Sequence, residues 1–270
     1  MQDPGMRIAL AQLDSRLGDL AGNAERARAA VAEAGADLVV FPELFLSGYA
    51  LAAAETDTAM TPAEAAAAAG PGTVLLGFHE RDDGVSYNSA VLAVDGEPVY
   101  VQRKLYLVDY PPFDEHRRFA PGSELRVVDG RAVLICNDAW QPMLPSLAVL
   151  DGARILLMPS CSSTAVAEAE EYWRAMTVFY ARLLRCFVVF VNRVGAEAGF
   201  TFWGGSHVVD PTGTVVAEAP RLEEALVTAD LDLGLVDERR RALPPAADER
   251  LDLLRRELDR LARKRAPAEL

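Results

Sequence analysis

Histidine and cysteine are scarce in this 270-residue chain, three of each and widely spaced. No CxxC, HxH or HExxH occurs, which argues against a zinc-type metal site and a disulfide framework. The expectation is therefore a reducing, cytoplasmic setting with no metal and no cofactor. Basic residues are also in deficit: 27 Lys and Arg against 40 Asp and Glu give a net charge of −13. Such a chain lacks the cationic face that a nucleic-acid partner requires, although a local basic pocket remains open to it. No apolar run has the length of a membrane-spanning helix, and Met1–Gly5 has neither the basic nor the apolar region of a signal peptide. No Gly-, Ser- or Pro-rich linker divides the chain, so one domain over 1–270 is expected, with 235–270 as a C-terminal amphipathic extension. The 51% hydrophobic content is ample for its core.

What the sequence does contain is strands and helices in alternation, which predicts an α/β fold. Arg7–Gln12 reads as a strand and Asn23–Ala34 as an Ala-rich helix, closed by Gly35 and followed by strand Leu38–Phe41. Thr61, Pro62 and Glu64 form the N-cap, first position and acidic first turn of a second helix running to Ala69. Three strands follow, Val74–His79, Tyr87–Val94 and Pro98–Gln102, with turn signals between them. After the strand Ala132–Ile135 come helix Met143–Leu150, strand Arg154–Met158, helix Glu170–Leu184 and strand Cys186–Val191. Phe200–Ser206 reads as a loop approaching a pocket. His207–Asp210, Thr214–Glu218 and Ala225–Asp230 are closing strands, with His207 structural. The helix Glu170–Leu184 carries Trp173, Met176, Phe179, Tyr180 and Leu183 as a stripe for core or subunit contact. In the tail, Leu251, Leu254, Leu258 and Leu261 put an apolar row on a helix over Asp248–Arg263. That row suits a dimer contact or packing on its own domain equally.

Three residues stand where β-like runs stop. Glu43 follows Leu38–Phe41 and Pro42 between apolar neighbours, a setting that desolvates a carboxylate and suits it to general-base work. Lys104 ends the run Val99–Arg103, and Cys136 ends Ala132–Ile135. Singly, the lysine reads as solvated and the cysteine as a buried structural thiol. Together they have a chemical logic: a thiolate attacks a carbonyl, the carboxylate takes the thiol proton, and the ammonium stabilises the oxyanion. Cys161 and Cys186 have no such partners in sequence and read as bystander and core.

Phe41-Pro42-Glu43-Leu44 with Gly48-Tyr49, Arg103-Lys104-Leu105 and Cys136-Asn137-Asp138 resemble the nitrilase superfamily of carbon–nitrogen hydrolases. So do Phe113-Asp114-Glu115 with Arg118-Phe119, Asn192-Arg193-Val194-Gly195, and Gly204-Gly205-Ser206 with Asp210-Pro211-Thr212-Gly213. The resemblance covers about Met6 to Leu233. It implies two β-sheets packed face to face between helices, an α-β-β-α sandwich that periodicity alone does not reveal. It implies Glu43, Lys104 and Cys136 as catalytic residues, joined by Glu115, which spacing alone reads equally as an arginine-paired surface glutamate. It also implies a small-molecule amide substrate cleaved through a thioester, with Asn137 contributing its backbone N–H, and a homo-oligomer as the assembly. No membrane partner is expected. Tyr49, Tyr106 and Trp140, close in sequence to these residues, are candidates for an apolar substrate wall. True nitrilases of the family follow the cysteine with Trp-Glu, so Asn137-Asp138 favours amides. The family's D-carbamoylases follow Cys-Asn-Asp with two arginines, where this chain has Ala139 and Trp140. A glutaminase module and a non-catalytic scaffold are the remaining alternatives.

Overall fold

The computed structural model describes residues 5–51, 54, 57–110, 113–244 and 250–265. The chain begins with β1 (Met6–Gln12), α1 (Leu20–Ala34) and β2 (Leu38–Val40), then α2 (Pro62–Ala69) and the meander β3 (Thr73–Asp82), β4 (Val85–Val94) and β5 (Glu97–Arg103). The second half runs β6 (Val127–Val128), β7 (Arg131–Val133), α3 (Met143–Leu150), β8 (Ile155–Ser160), α4 (Ala169–Leu184) and β9 (Phe187–Asn192). It closes with a hairpin of β10 (Val194–Glu197) and β11 (Phe200–Trp203), then β12 (His207–Val209), β13 (Val215–Glu218), β14 (Ala225–Leu231), α5 (Leu233–Ala242) and α6 (Leu251–Arg265).

Two six-stranded sheets result, ordered β14-β1-β2-β3-β4-β5 and β13-β12-β9-β8-β7-β6. Each has three adjacent parallel strands at its heart, β1-β2-β3 and β7-β8-β9, with antiparallel strands outside. The alternation of side chains along these strands builds the layers. Leu38 and Val40 face the other sheet, where they join Leu10, Ile135, Leu157 and Val189, whereas Val39 points to the helices. Strands buried on both faces read as unbroken apolar runs for this reason. Ala24, Ala27, Ala30 and Ala34 of α1 and Ala65, Ala66 and Ala69 of α2 pack on Val39, Phe41 and Val74. On the opposite side α3 and α4 cover the second sheet through Leu144, Ala148, Trp173 and Tyr180. The α-β-β-α sandwich is thus the fold.

Caps match the sequence at both early helices. Gly35 closes α1 at φ 53°, and Thr61 and Glu64 bond each other's backbone in a capping box. α1 starts earlier than Asn23 because Asp19 caps it, accepting from Gly22 N–H. Several expectations change. Phe200–Trp203 is strand, not loop, since it pairs with β10. The aromatic row of α4 splits: Trp173 and Tyr180 enter the core, while Phe179 and Leu183 face outward. The segment read as a tail from 235 also divides. α5 belongs to the body, with Val236 fully buried and Arg240 bonded to the carbonyls of Arg185 and Ala153. The described part of α6 leaves Leu251, Leu258 and Leu261 exposed in the single chain. Asp248 and parts of the Ala50–Ala59 and Val108–Gly122 loops lie outside the described residues.

Candidate active site

The chemistry gathers at the carboxyl ends of three central strands and of the edge strand β5, the end where α/β sheets place their ligands. β2 delivers Glu43, β5 delivers Lys104, β7 delivers Cys136 and β8 delivers Cys161. The Glu43 turn is held by packing: Leu44, Phe45 and Leu46 are fully buried, and Leu46 N–H bonds Gly77 O at 3.0 Å. Gly77 is required there by proximity. A Cβ would lie 2.5 Å from Leu44 N and closer still to the Pro42 carbonyl.

Glu43 is buried among donors. Its Oε1 accepts from Lys104 Nζ at 2.6 Å and Asn88 Nδ2 at 2.8 Å, and its Oε2 accepts from Cys161 N–H at 2.9 Å. Glu115, at the start of a short 3-10 turn, takes the other side of the lysine. Its Oε1 accepts from Lys104 Nζ at 2.8 Å and Tyr49 Oη at 2.8 Å, and its Oε2 from Val108 N–H at 3.0 Å. Tyr49 is held in turn by Glu197, which accepts from the Tyr49 and Ala50 N–H groups and pairs with buried Arg193 at 2.8 Å.

Cys136 sits at the strand exit with φ 45°, a strained conformation for a residue with a Cβ, and opens a 3-10 turn over Cys136–Trp140. Asp138 clamps that turn. Its Oδ2 accepts from Ile135 N–H at 3.1 Å, and its Oδ1 from the N–H groups of Leu105 and Tyr106 at 3.0 and 2.8 Å. One buried carboxylate therefore ties the cysteine's turn to the chain just after Lys104. Burial pushes Asp138 up to about 7, against the pull of those three donors and of Lys104.

Burial alone would lower the Lys104 pKa, but the Glu115 and Glu43 carboxylates outweigh it and hold the ammonium well above the ordinary lysine value. Burial raises Glu115 as well, opposed by Lys104. Burial and then the Glu43 charge push the Cys136 thiol well above its usual range, and burial does the same to Tyr49. The resting thiol is neutral beside a carboxylate.

The four residues expected to be catalytic thus meet. Of the expected substrate contacts, Tyr49, Asn137 and Trp140 line a narrow cavity that reaches Cys136. Tyr106 does not: its ring is exposed outside the lining, and its backbone does the work, accepting from Asn137 Nδ2 and donating to Asp138. Cys161 is no bystander. Besides its N–H bond to Glu43, its thiol donates to the Glu43 carbonyl at 3.0 Å and lines the same cavity. Sequence reasoning missed it because the group that matters most is a backbone N–H. Asn88 was missed too, since Tyr87–Val94 reads only as a strand. A wider groove of about 960 Å³ beside β5, lined by Glu80, Asp82, Tyr100 and Arg103, contains none of these groups.

The carbon–nitrogen hydrolase family model matches residues 7–241. A glutamine-dependent NAD(+) synthetase of Thermotoga maritima is 37% identical over 261 residues, covering 87% of this chain but 45% of the synthetase. The chain thus spans under half the length of that relative. An (R)-stereoselective amidase of Pseudomonas sp. is 33% identical over 92% of this chain and 93% of its own length. Among solved structures, a carbon-nitrogen hydrolase from Helicobacter pylori G27 superposes with a TM-score of 0.78 at 24% identity, covering 94% and 98% of the two chains. On the extent of these matches, the chain belongs to the carbon–nitrogen hydrolase family of the nitrilase superfamily.

Proposed function

We propose that this chain hydrolyses the non-peptide C–N bond of a small linear amide, giving acid and ammonia through a thioester on Cys136. One observation carries the reading: a fully buried ammonium, Lys104, lies 2.6 and 2.8 Å from two buried carboxylates, and the charges of all three act on the Cys136 thiol, which lines a cavity. A buried ion triad of this kind is costly to assemble, and such costs are met at functional sites.

In this mechanism Glu43 takes the thiol proton as sulfur attacks the amide carbonyl. Lys104 and the Asn137 N–H stabilise the oxyanion, each such donor being worth about 10²–10³ in rate. Glu43 returns the proton to nitrogen, the C–N bond breaks, and ammonia leaves the thioester behind. Glu43 then deprotonates a water, which attacks the thioester, and the proton goes back to sulfur as the acid departs. Glu115 holds Lys104 in place, with Tyr49 donating to the same carboxylate oxygen.

The test is ammonia release from a panel of carboxamides, ω-amides, glutamine, ureido acids and nitriles, comparing the native chain with Cys136→Ala. Release from one class that vanishes in the variant is expected. Release that persists in the variant overturns the assignment. The identity to glutamine-dependent synthetases supports a second reading, a glutaminase that feeds ammonia to a synthetase. Glutamine as the preferred donor would favour it.

A further inference from the structure

We propose that the amide cleaved here bears an uncharged, apolar acyl group, a short aliphatic carboxamide rather than an amino-acid or dicarboxylic ω-amide. The inference rests on the hydrolase reading above and concerns the far side of the same cavity. Among the described residues that line it, none is charged. Its walls are Tyr49, Phe113, Trp140 and Trp173 with Val108 and Val166. The rings brace one another: Tyr49 meets Phe113 edge-on at 6.1 Å, and Trp140 meets Trp173 edge-on at 5.8 Å.

Several polar groups in that wall already have partners. Ser162 Oγ accepts from the indoles of Trp173 and Trp203 at 3.1 and 3.2 Å. Ser163 Oγ accepts from Ala165 N–H, and the Asn137 amide donates to the Tyr106 carbonyl at 3.1 Å. What remains to the cavity is uncharged: the serine hydroxyl protons, the Tyr110 hydroxyl and the Asn137 side-chain carbonyl, enough to orient an amide. A substrate carboxylate needs far more, because burying an unpaired charge against aromatic and aliphatic walls forfeits its hydration with nothing in return.

The cations that act on the cavity's two cysteines, Lys104 on Cys136 and Arg193 on Cys161, are each held by two carboxylates. Lys104 is bound by both Glu43 and Glu115, and buried Arg193 is bound by Asp14 and Glu197. So engaged, neither is left to serve as the counter-ion of a substrate carboxylate. A cationic substrate meets the opposite obstacle: the Glu43 and Glu115 oxygens already accept from Lys104, Asn88, Tyr49 and two backbone N–H groups. Its ammonium would lie against rings and aliphatic carbon.

The experiment compares isosteres that differ in charge, read as kcat/KM for ammonia release by the full chain. Valeramide is set against 4-aminobutyramide, 4-methylvaleramide against succinamate, and glutamine is included. The neutral member of each pair is expected to lead by at least about a hundredfold. A lead below about tenfold, or a preference for succinamate, 4-aminobutyramide or glutamine, overturns the apolar class while leaving the hydrolase reading intact. Ammonia from no member of the panel overturns the hydrolase reading and this one with it.

Discussion

Replacing Lys104 with methionine separates the ion triad from its scaffold. Methionine keeps the length and apolar stem of lysine, so packing is nearly conserved and the charge is what disappears. Lys104 is fully buried and bonded to Glu43 at 2.6 Å and Glu115 at 2.8 Å. Without it two buried carboxylates face each other unpaired, and the site passes from one net negative charge to two. Breaking a buried ion pair by removing one partner costs about 3–5 kcal/mol. At roughly 2–3 °C per kcal/mol for a chain of this size, Tm at pH 8 should fall by about 6–15 °C. The loss should depend on pH in a definite sense. The Glu115 carboxyl is already raised by burial, and removal of the ammonium raises it further. A carboxyl whose folded pKa exceeds its unfolded one contributes most stability at low pH and loses it as pH rises. The Tm deficit of Lys104→Met should therefore shrink between pH 8 and pH 5, as one carboxyl takes up a proton. Differential scanning calorimetry of both proteins across that range measures it. A variant that melts within 2 °C of the native chain at pH 8, with no pH-dependent deficit, would refute the account of the triad. Ammonia release should fall at least about 10²-fold in the same variant, from the loss of an oxyanion donor.

Gly77→Ala should cost about 10²-fold in kcat, because a Cβ at that point displaces the turn that carries Glu43, and steady-state assay with a circular-dichroism melt distinguishes this from unfolding. Asp138→Asn trades an oxygen for an NH₂ group against one of the three N–H donors that clamp the Cys136 turn. A loss of about 1–3 kcal/mol in denaturant unfolding and at least tenfold in turnover is expected. His207, buried between Thr177 and the Gly205 carbonyl, is held down by burial to about 4. Its unfolded form takes a proton near pH 6.5 and its folded form does not, so stability is complete above 6.5 and about 3 kcal/mol is lost as pH falls to 4. His207→Gln should lose that part of the acid dependence, and unfolding curves of the two proteins with equal pH slopes would contradict it.

Strand-end position and family resemblance single out Glu43, Lys104, Glu115 and Cys136 as candidates, and the structure brings these four together. Each strand-end assignment rests on a local signal: an apolar run that stops at proline, at a polar triplet or at a basic residue. The same holds for the caps at Gly35 and Thr61, where the conformational need of one residue is written in its own identity. Three features were not legible. Cys161 acts on Glu43 through a backbone N–H, which every residue but proline possesses. Tyr106 is adjacent to Lys104 in sequence, yet its ring turns away and only its main chain serves Asp138. Asn88 lies on a strand whose pattern says only that one face is buried.

By itself the sequence determined where strands and helices lie, since a period of two or of 3.6 and the capping residues are properties of neighbouring positions. It also supplied the glutamates, lysine and cysteine that the family resemblance singles out. Tertiary structure alone decided which strands share a sheet. β14 leaves the second half of the chain to pair with β1, Met6 opposite Leu231, because the free edge of β1 needs backbone partners and no local pattern names the strand that supplies them. It also decided which side chains meet across the sandwich. The distance from Lys104 to Glu43 and Glu115 is set by the packing of two sheets and the loops at their ends. The electrostatics of the site follow from that burial, because a closely packed site makes one ammonium and two carboxyl groups bear strongly on a thiol.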